Sequence, residues 1–351
     1  MKILITGNMG YIGPTVVQKF RQSYPKATLV GLDAGYFAHC LTNTRVLPES
    51  RLDEQFFLDI RRVTKDHLKD VDAVVNLAAI SNDIMGKIDE SLTLDSNYKA
   101  GVKLAKLAKE AKVKSFVFAS SCSVYGFAEE GAKTEASEVN PLTAYAKSKI
   151  LTEKGLELLA GKDFKVTCLR FATACGMSER LRLDLVINDF VACALASKKI
   201  TVLSDGTPWR PLIHIRDMAR AMDWAIARPV NAGGPFLVVN AGSDEWNYQV
   251  KELAKTVAEQ IPGTEVSINL QAPPDKRSYR VDFGQFRKLA PEYQPEVNLL
   301  QTIRELKEGL SSMNFDNAHF RESDFMRIKV LTGLRDSGLL DASLEWSRNA
   351  K

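Results

Sequence analysis

Lys2-Ile3-Leu4-Ile5-Thr6-Gly7-Asn8-Met9-Gly10-Tyr11-Ile12-Gly13-Pro14 sets a short apolar run directly against three glycines and then opens a helical pattern. Gly7 permits a tight turn, Gly10 lets the backbone approach a diphosphate, and Gly13 lets the new helix pack closely on the strand. The peptide groups of Met9, Tyr11 and Ile12 lie between them, and free amides at a helix start, with the helix dipole, attract phosphate. The spacing is GxxGxxG, one residue longer than the commoner GxGxxG. Pro14 has no amide hydrogen, but the first helical turn tolerates it. An ordinary glycine-rich turn is the competing reading. Asp33, 20 residues beyond Gly13 at the end of the next apolar run, favours the dinucleotide. Its carboxylate suits an adenosine ribose and repels a 2′-phosphate, and Ala34 and Gly35 supply no arginine to offset that repulsion. NAD is expected over NADP.

Working outward, Thr28 to Asp33, Ala73 to Leu77, Ser115 to Ser120 and Lys165 to Arg170 read as buried strands, apolar on both faces. Pro14 to Tyr24, Asn97 to Ala111 and Tyr145 to Ala160 carry apolar residues at helical spacing. Strand and helix in alternation imply a parallel sheet covered on both sides, with ligands at the carboxyl ends of its strands. The fold class expected is α/β, a doubly wound parallel Rossmann sheet with a smaller discontinuous α/β lobe. Past residue 172, glycine and proline interrupt the pattern. Leu212 to Ile215, Asp217 to Ala227 and Phe236 to Asn240 still resemble strand and helix units. The boundaries drawn are therefore 1–172 plus 212–241 for the dinucleotide domain, and 173–211 plus 242–351 for the lobe. From Gln301 onward the tail is amphipathic and carries no recognisable chemistry.

Composition excludes other classes. The 351 residues include 47 Lys plus Arg against 43 Asp plus Glu, a formal charge of +4, so neither nucleic acid nor an anionic membrane is an expected partner. The longest apolar stretch, Phe190 to Ala196, is far short of the roughly 20 residues of a membrane span, and the first residues do not form a signal peptide. Five cysteines without a CxxC pair suggest reduced thiols in a cytoplasmic protein. With four scattered histidines, no metal is expected.

Tyr145-Ala146-Lys147-Ser148-Lys149 opens a helix, and a separation of four sets Tyr145 and Lys149 on one face. A phenol near pKa 10 is a poor base at neutrality; about three units of lowering, roughly 4 kcal/mol, are needed. A neighbouring ammonium and a nicotinamide cation could supply them. The strand ending in Ser120-Ser121-Cys122-Ser123 offers a hydroxyl for the same substrate oxygen.

These pieces resemble the extended short-chain dehydrogenases/reductases of the nucleotide-sugar epimerase/dehydratase family. Thr6 to Gly13, Asp59-Ile60, Asn76-Leu77-Ala78-Ala79, Asn97, Ser120 to Gly126, Tyr145 to Lys149, Leu169-Arg170-Phe171 and Arg210 to His214 match in the family's order, from residue 1 to about 220. The resemblance implies Ser121 as the catalytic hydroxyl, Tyr145 as acid/base, and Lys149 as the residue that lowers its pKa and holds a nicotinamide ribose. It implies Asp59 and Ile60 beside the adenine, Leu77, Ala78 and Ala79 along the diphosphate-ribose path, Ser120 nearby, and Asn97 supporting the sheet end. On the substrate side Asn188 and Arg210 fall where relatives grip a nucleotide diphosphate, with Arg277 and Arg280 as further arginines suited to phosphate.

Two departures narrow the reaction. Family 4,6-dehydratases follow the catalytic hydroxyl with Asp-Glu, where this chain has Cys122-Ser123, and a thiol and an alcohol do not replace that acid-base pair. Phe171-Ala172-Thr173 lacks the Asn common in its loop, so Thr173 joins Cys122, Ser123 and Asp83 as candidate sugar contacts. The expectation is an epimerase using bound NAD through a transient keto-sugar, with a nucleotide-diphosphate sugar as partner. A dehydratase or ketosugar reductase is the alternative, and a non-catalytic NAD(H)-binding regulator the lesser one. The resemblance also implies a homodimer formed through the helices at Asn97 to Ala111 and Tyr145 to Ala160.

Overall fold

A computed structural model describes residues 1–81, 89–128, 131–272 and 278–347. In chain order the elements are β1 (Lys2–Thr6), α1 (Gly13–Ser23), β2 (Thr28–Asp33), β3 (Glu54–Phe57) and β4 (Ala73–Asn76). There follow α2 (Glu90–Leu94), α3 (Ala100–Glu110), β5 (Ser115–Ser121), β6 (Ala132–Lys133), α4 (Ala144–Glu157), β7 (Lys165–Phe171) and β8 (Thr173–Cys175). Next come α5 (Val186–Ala196), β9 (Lys199–Val202), β10 (Trp209–His214), α6 (Ile215–Ala227), β11 (Phe236–Ala241), β12 (Asn247–Gln249) and α7 (Val250–Gln260). The chain ends with β13 (Glu265–Ile268), β14 (Arg280–Val281), α8 (Gly284–Leu289), α9 (Leu299–Ser312) and α10 (Arg327–Asp336).

Seven parallel strands form the main sheet in the order β11-β7-β5-β4-β1-β2-β3. Alternation sends Ile3 and Ile5 to one face and Leu4 to the other, and both faces are buried. One face packs Ile3 and Ile5 with Val16 and Phe20 of α1; the other packs Leu4, Val30 and Phe116 with Leu104 of α3. The strand order reverses at β1, which is flanked by β2 on one side and β4 on the other. That switch point leaves a crevice at the carboxyl ends of the strands, and the glycine turn opens into it.

Residues 212–214 part from the sequence-based boundary. Leu212, Ile213 and His214 pair with Thr173, Ala174 and Cys175 of β8, while Trp209 to Pro211 pair with β12. The strand belongs to the small β12-β10-β8 sheet; only α6 and β11 return to the main body. Its apolar composition signalled a buried strand but not which sheet would bury it. β3 was not anticipated either: Glu54–Phe57 is an edge strand with half-exposed residues, so it lacks an apolar run. The lobe's α5, α7 and α9 pack on one another, and a single apolar cluster runs from β1 and α1 into them. Among the described residues, no helix is long and apolar enough to cross a membrane.

Candidate active site

A cavity of about 1140 Å³ opens along the crevice. At one end lies the glycine turn. Gly7 has φ +71°, and a Cβ there would come within 2.6 Å of the Ala78 amide nitrogen; a Cβ on Gly13 would meet the Asn8 carbonyl oxygen at 2.0 Å. Gly10 closes the turn by donating to the Gly7 carbonyl at 3.1 Å. Gly7, Gly10, Tyr11, Ile12 and Gly13 all line the cavity. Met9 does not: its amide donates to Asp33 Oδ2 at 3.0 Å, and Gly35 donates to Oδ1 at 2.8 Å. Burial pushes the Asp33 carboxyl up, and these two amides pull it back. Asp33, Asp59, Ile60, Leu77, Ala78 and Ala79 continue the wall, with Asp59 held by Arg61, whose Nε reaches Oδ1 and whose terminal nitrogen reaches Oδ2. Asn97 stands behind the wall, pinning Ile80 through its side chain (2.8 Å from the amide, 3.0 Å to the carbonyl). A glycine cradle that no Cβ could enter, a carboxylate beyond it and a long cavity between them fit a dinucleotide.

At the other end, Ser121, Tyr145 and Lys149 line the same cavity. Thr143 caps α4 by accepting from the Ala146 amide at 3.2 Å, which starts the helix one residue before Tyr145. Lys149 follows one turn later, almost fully buried. Its ammonium donates to the Ala119 carbonyl at 2.7 Å and lies 4.7 Å and 5.1 Å from the ring centres of Phe118 and Tyr145. Burial pulls its pKa down to about 7, opposed by the nearby Glu153 carboxylate. Ser121 ends β5 and accepts from the Ser123 amide at 3.2 Å. Ser120 is buried and donates to Glu153 Oε1 at 2.5 Å; Glu153 also pairs with Arg170 at 2.7 Å. This ion pair braces the strand end that carries Ser121.

The candidate sugar-side residues divide. Ser123, Thr173 and Arg210 line the cavity, and the buried Ser123 hydroxyl has no protein partner among the described residues. Asp83 and Arg277 lie outside the described residues. Three expectations are corrected. Cys122 is buried, donates to the Arg170 carbonyl at 3.1 Å, and burial pushes its thiol well up; it is a small core residue. Asn188 is wholly buried with its amide fully engaged, accepting from Gly176 (3.1 Å) and donating to Tyr11 Oη (3.0 Å) and the Arg182 carbonyl (2.8 Å). It ties the glycine turn to the lobe and does not line the cavity. Arg280 stacks on Trp209 at 5.2 Å, also away from the lining.

Sequence reasoning missed a charged group at this end. Arg182 and Asp184 form a bidentate pair in the cavity wall (2.8 and 2.9 Å), and Arg182 also donates to Ser81 Oγ at 2.8 Å. The alternation Arg180-Leu181-Arg182-Leu183-Asp184, with both leucines buried, was the available signal.

Residues 3–242 match the model of the NAD dependent epimerase/dehydratase family, and the chain belongs to that family of NAD-dependent enzymes. It is 26% identical to UDP-glucuronic acid decarboxylase 6 of Arabidopsis thaliana over 327 residues, covering 90% of this chain and 88% of the relative. It is 29% identical over 251 residues to the uncharacterized UDP-glucose epimerase YtcB of Bacillus subtilis, covering 67% and 77%. Among solved structures, MoeE5 in complex with UDP-glucuronic acid and NAD aligns with a TM-score of 0.76 and 25% identity, over 89% of this chain and all of that one.

Proposed function

We propose that the protein is an NAD-dependent nucleotide-sugar epimerase that works through a transient keto-sugar. The observation that carries this reading is the joint lining of one cavity by Ser121, Tyr145 and Lys149 at one end and the glycine cradle with Asp33 at the other. Tyr145, ionised beside the Lys149 ammonium, accepts the proton of a sugar hydroxyl, while Ser121 hydrogen-bonds the same oxygen. Bound NAD supplies reversible hydride transfer at that carbon. Tyr145 returns the proton once the sugar has presented its opposite face. Ser123, Thr173 and Arg210 hold the nucleotide-diphosphate sugar, and Asp33 favours an unphosphorylated adenosine ribose. Dehydration of the 4,6 type needs a carboxylic acid-base pair after Ser121; here those positions are a buried thiol and a serine.

Incubation of the purified protein with a panel of nucleotide sugars, without added NAD(P)H, tests the reading by product mass and proton NMR. An isomer of unchanged mass is expected. Loss of water or carbon dioxide, or turnover only with fresh NAD(P)H, would overturn it.

We infer further that two chains pair through α3 and α4. Leu151 and Leu158 stay exposed on and just after α4, and a monomer by light scattering would refute the pairing. Five free, buried cysteines are consistent with a reducing, cytoplasmic setting.

A further inference from the structure

The tail to which the sequence assigned no chemistry forms part of the cavity wall. Met326, Arg327, Ile328 and Leu331 all line it. Beyond α10 the chain returns to the loop that follows Asp33. There the Trp346 indole donates to the Ala34 carbonyl at 2.6 Å and the Tyr36 hydroxyl donates to the Leu344 carbonyl, while Arg62, just past Asp59, pairs with Glu345.

Arg327 is the feature of this wall that needs explaining. It is 3% exposed, and its guanidinium lies 4.8 Å over the Phe37 ring. Among the described residues it donates only to backbone carbonyls, Arg180 at 2.7 Å and Asp324 at 3.2 Å. Arg180, whose carbonyl it holds, pairs with Glu49, and two arginines of the cavity wall, Arg182 and Arg321, pair with Asp184 and Asp189. Among the described residues no carboxylate lies within salt-bridge distance of Arg327. The Asp184 carboxylate acts on Arg327 from beyond that distance but is already paired with Arg182; a buried cation without a paired counter-charge is costly, and the open cavity beside it is the place from which an anion can come.

Position identifies that anion. Arg180, whose carbonyl Arg327 holds, donates its amide to Ser178 Oγ at 3.1 Å, and that hydroxyl donates to the Tyr11 carbonyl in the glycine turn at 2.6 Å. On the other side Phe37 belongs to the loop after Asp33. Arg327 thus stands between the amides that open α1 and the carboxylate placed for a ribose. We propose that Arg327 is the counter-charge of the dinucleotide's diphosphate, delivered by the C-terminal segment, which walls the cofactor cavity. This inference rests on the reading of the cavity as a dinucleotide site.

Calorimetric titration of nucleotide-stripped wild type, Arg327→Met and Arg327→Lys with NAD⁺, ADP and adenosine tests it. Arg327→Met should weaken NAD⁺ and ADP by about 10- to 100-fold and adenosine by less than about threefold, with Arg327→Lys recovering part of the diphosphate affinity. Equal weakening of adenosine and ADP would reduce Arg327 to a structural prop and overturn the proposal, as would unchanged affinity for all three. Should Arg327→Met fail to fold, Arg327→Lys carries the same comparison, because an ammonium cannot reproduce a bidentate contact and the diphosphate ligands should still suffer more than adenosine. Wild type that binds neither NAD⁺ nor ADP would instead overturn the dinucleotide reading itself.

Discussion

The Lys149 ammonium lies 5.1 Å from the centre of the Tyr145 ring while donating to the Ala119 carbonyl at 2.7 Å. One turn of α4 and the end of β5 therefore hold a buried cation against a phenol in the cavity wall. The arrangement has a stability cost. Burial lowers Lys149 from 10.5 to about 7, so between those pH values the unfolded chain binds the extra proton and stability rises with pH. Lys149→Met should stabilise the fold by on the order of 1–3 kcal/mol below about pH 7, with the gain fading toward about pH 10. Denaturant midpoints of both proteins across that range check the sign; a gain independent of pH would contradict it.

Tyr145→Phe removes the proton acceptor and keeps the ring. Turnover of the nucleotide sugar identified by the panel should fall about 10²- to 10⁴-fold, with the far-ultraviolet spectrum unchanged. A variant retaining more than about a tenth of wild-type kcat would move the proton transfer elsewhere.

Asn188→Ala tests the correction made at that position. It deletes the link between Tyr11 Oη, Gly176 and the Arg182 carbonyl, leaving buried groups unsatisfied. A loss of about 1–3 kcal/mol in stability is expected, with weaker retention of NAD. A rise in sugar KM alone, at unchanged stability and cofactor content, would restore Asn188 as a substrate contact.

Glu153 accepts from Ser120 and is paired with Arg170, and both Glu153 and Arg170 are buried. Glu153→Ala leaves the guanidinium without its partner and should cost about 3–5 kcal/mol. Chemical denaturation reads this directly; a loss below about 1 kcal/mol would show that the pair does not brace β5.

Much of the fold was legible because its signals are local. The run Lys2–Thr6, the glycine turn and the helices at Pro14 and Tyr145 all depend on residues within one or two turns of each other. The segment 212–214 was legible as a strand, but an apolar run does not specify its pairing partner, which is β8. At the site, Tyr145 and Lys149 could be read together because helical spacing puts them on one face. Asn188 misled because matching a family position does not reveal that its amide is consumed by Tyr11, Gly176 and Arg182. Arg327 could not be found from sequence: its meaning comes from Phe37, Arg180 and Tyr11, each more than a hundred residues away.

Ultraviolet titration of tyrosinate in wild type, Tyr145→Phe and Lys149→Met tests the central electrostatic claim most directly. The wild-type minus Tyr145→Phe difference should reveal one tyrosinate forming below the usual phenol value of about 10, with Tyr145 and Lys149 titrating as a coupled pair. In Lys149→Met that midpoint should return to about 10. A Tyr145 midpoint at or above about 10 in protein that retains Lys149 would contradict the account.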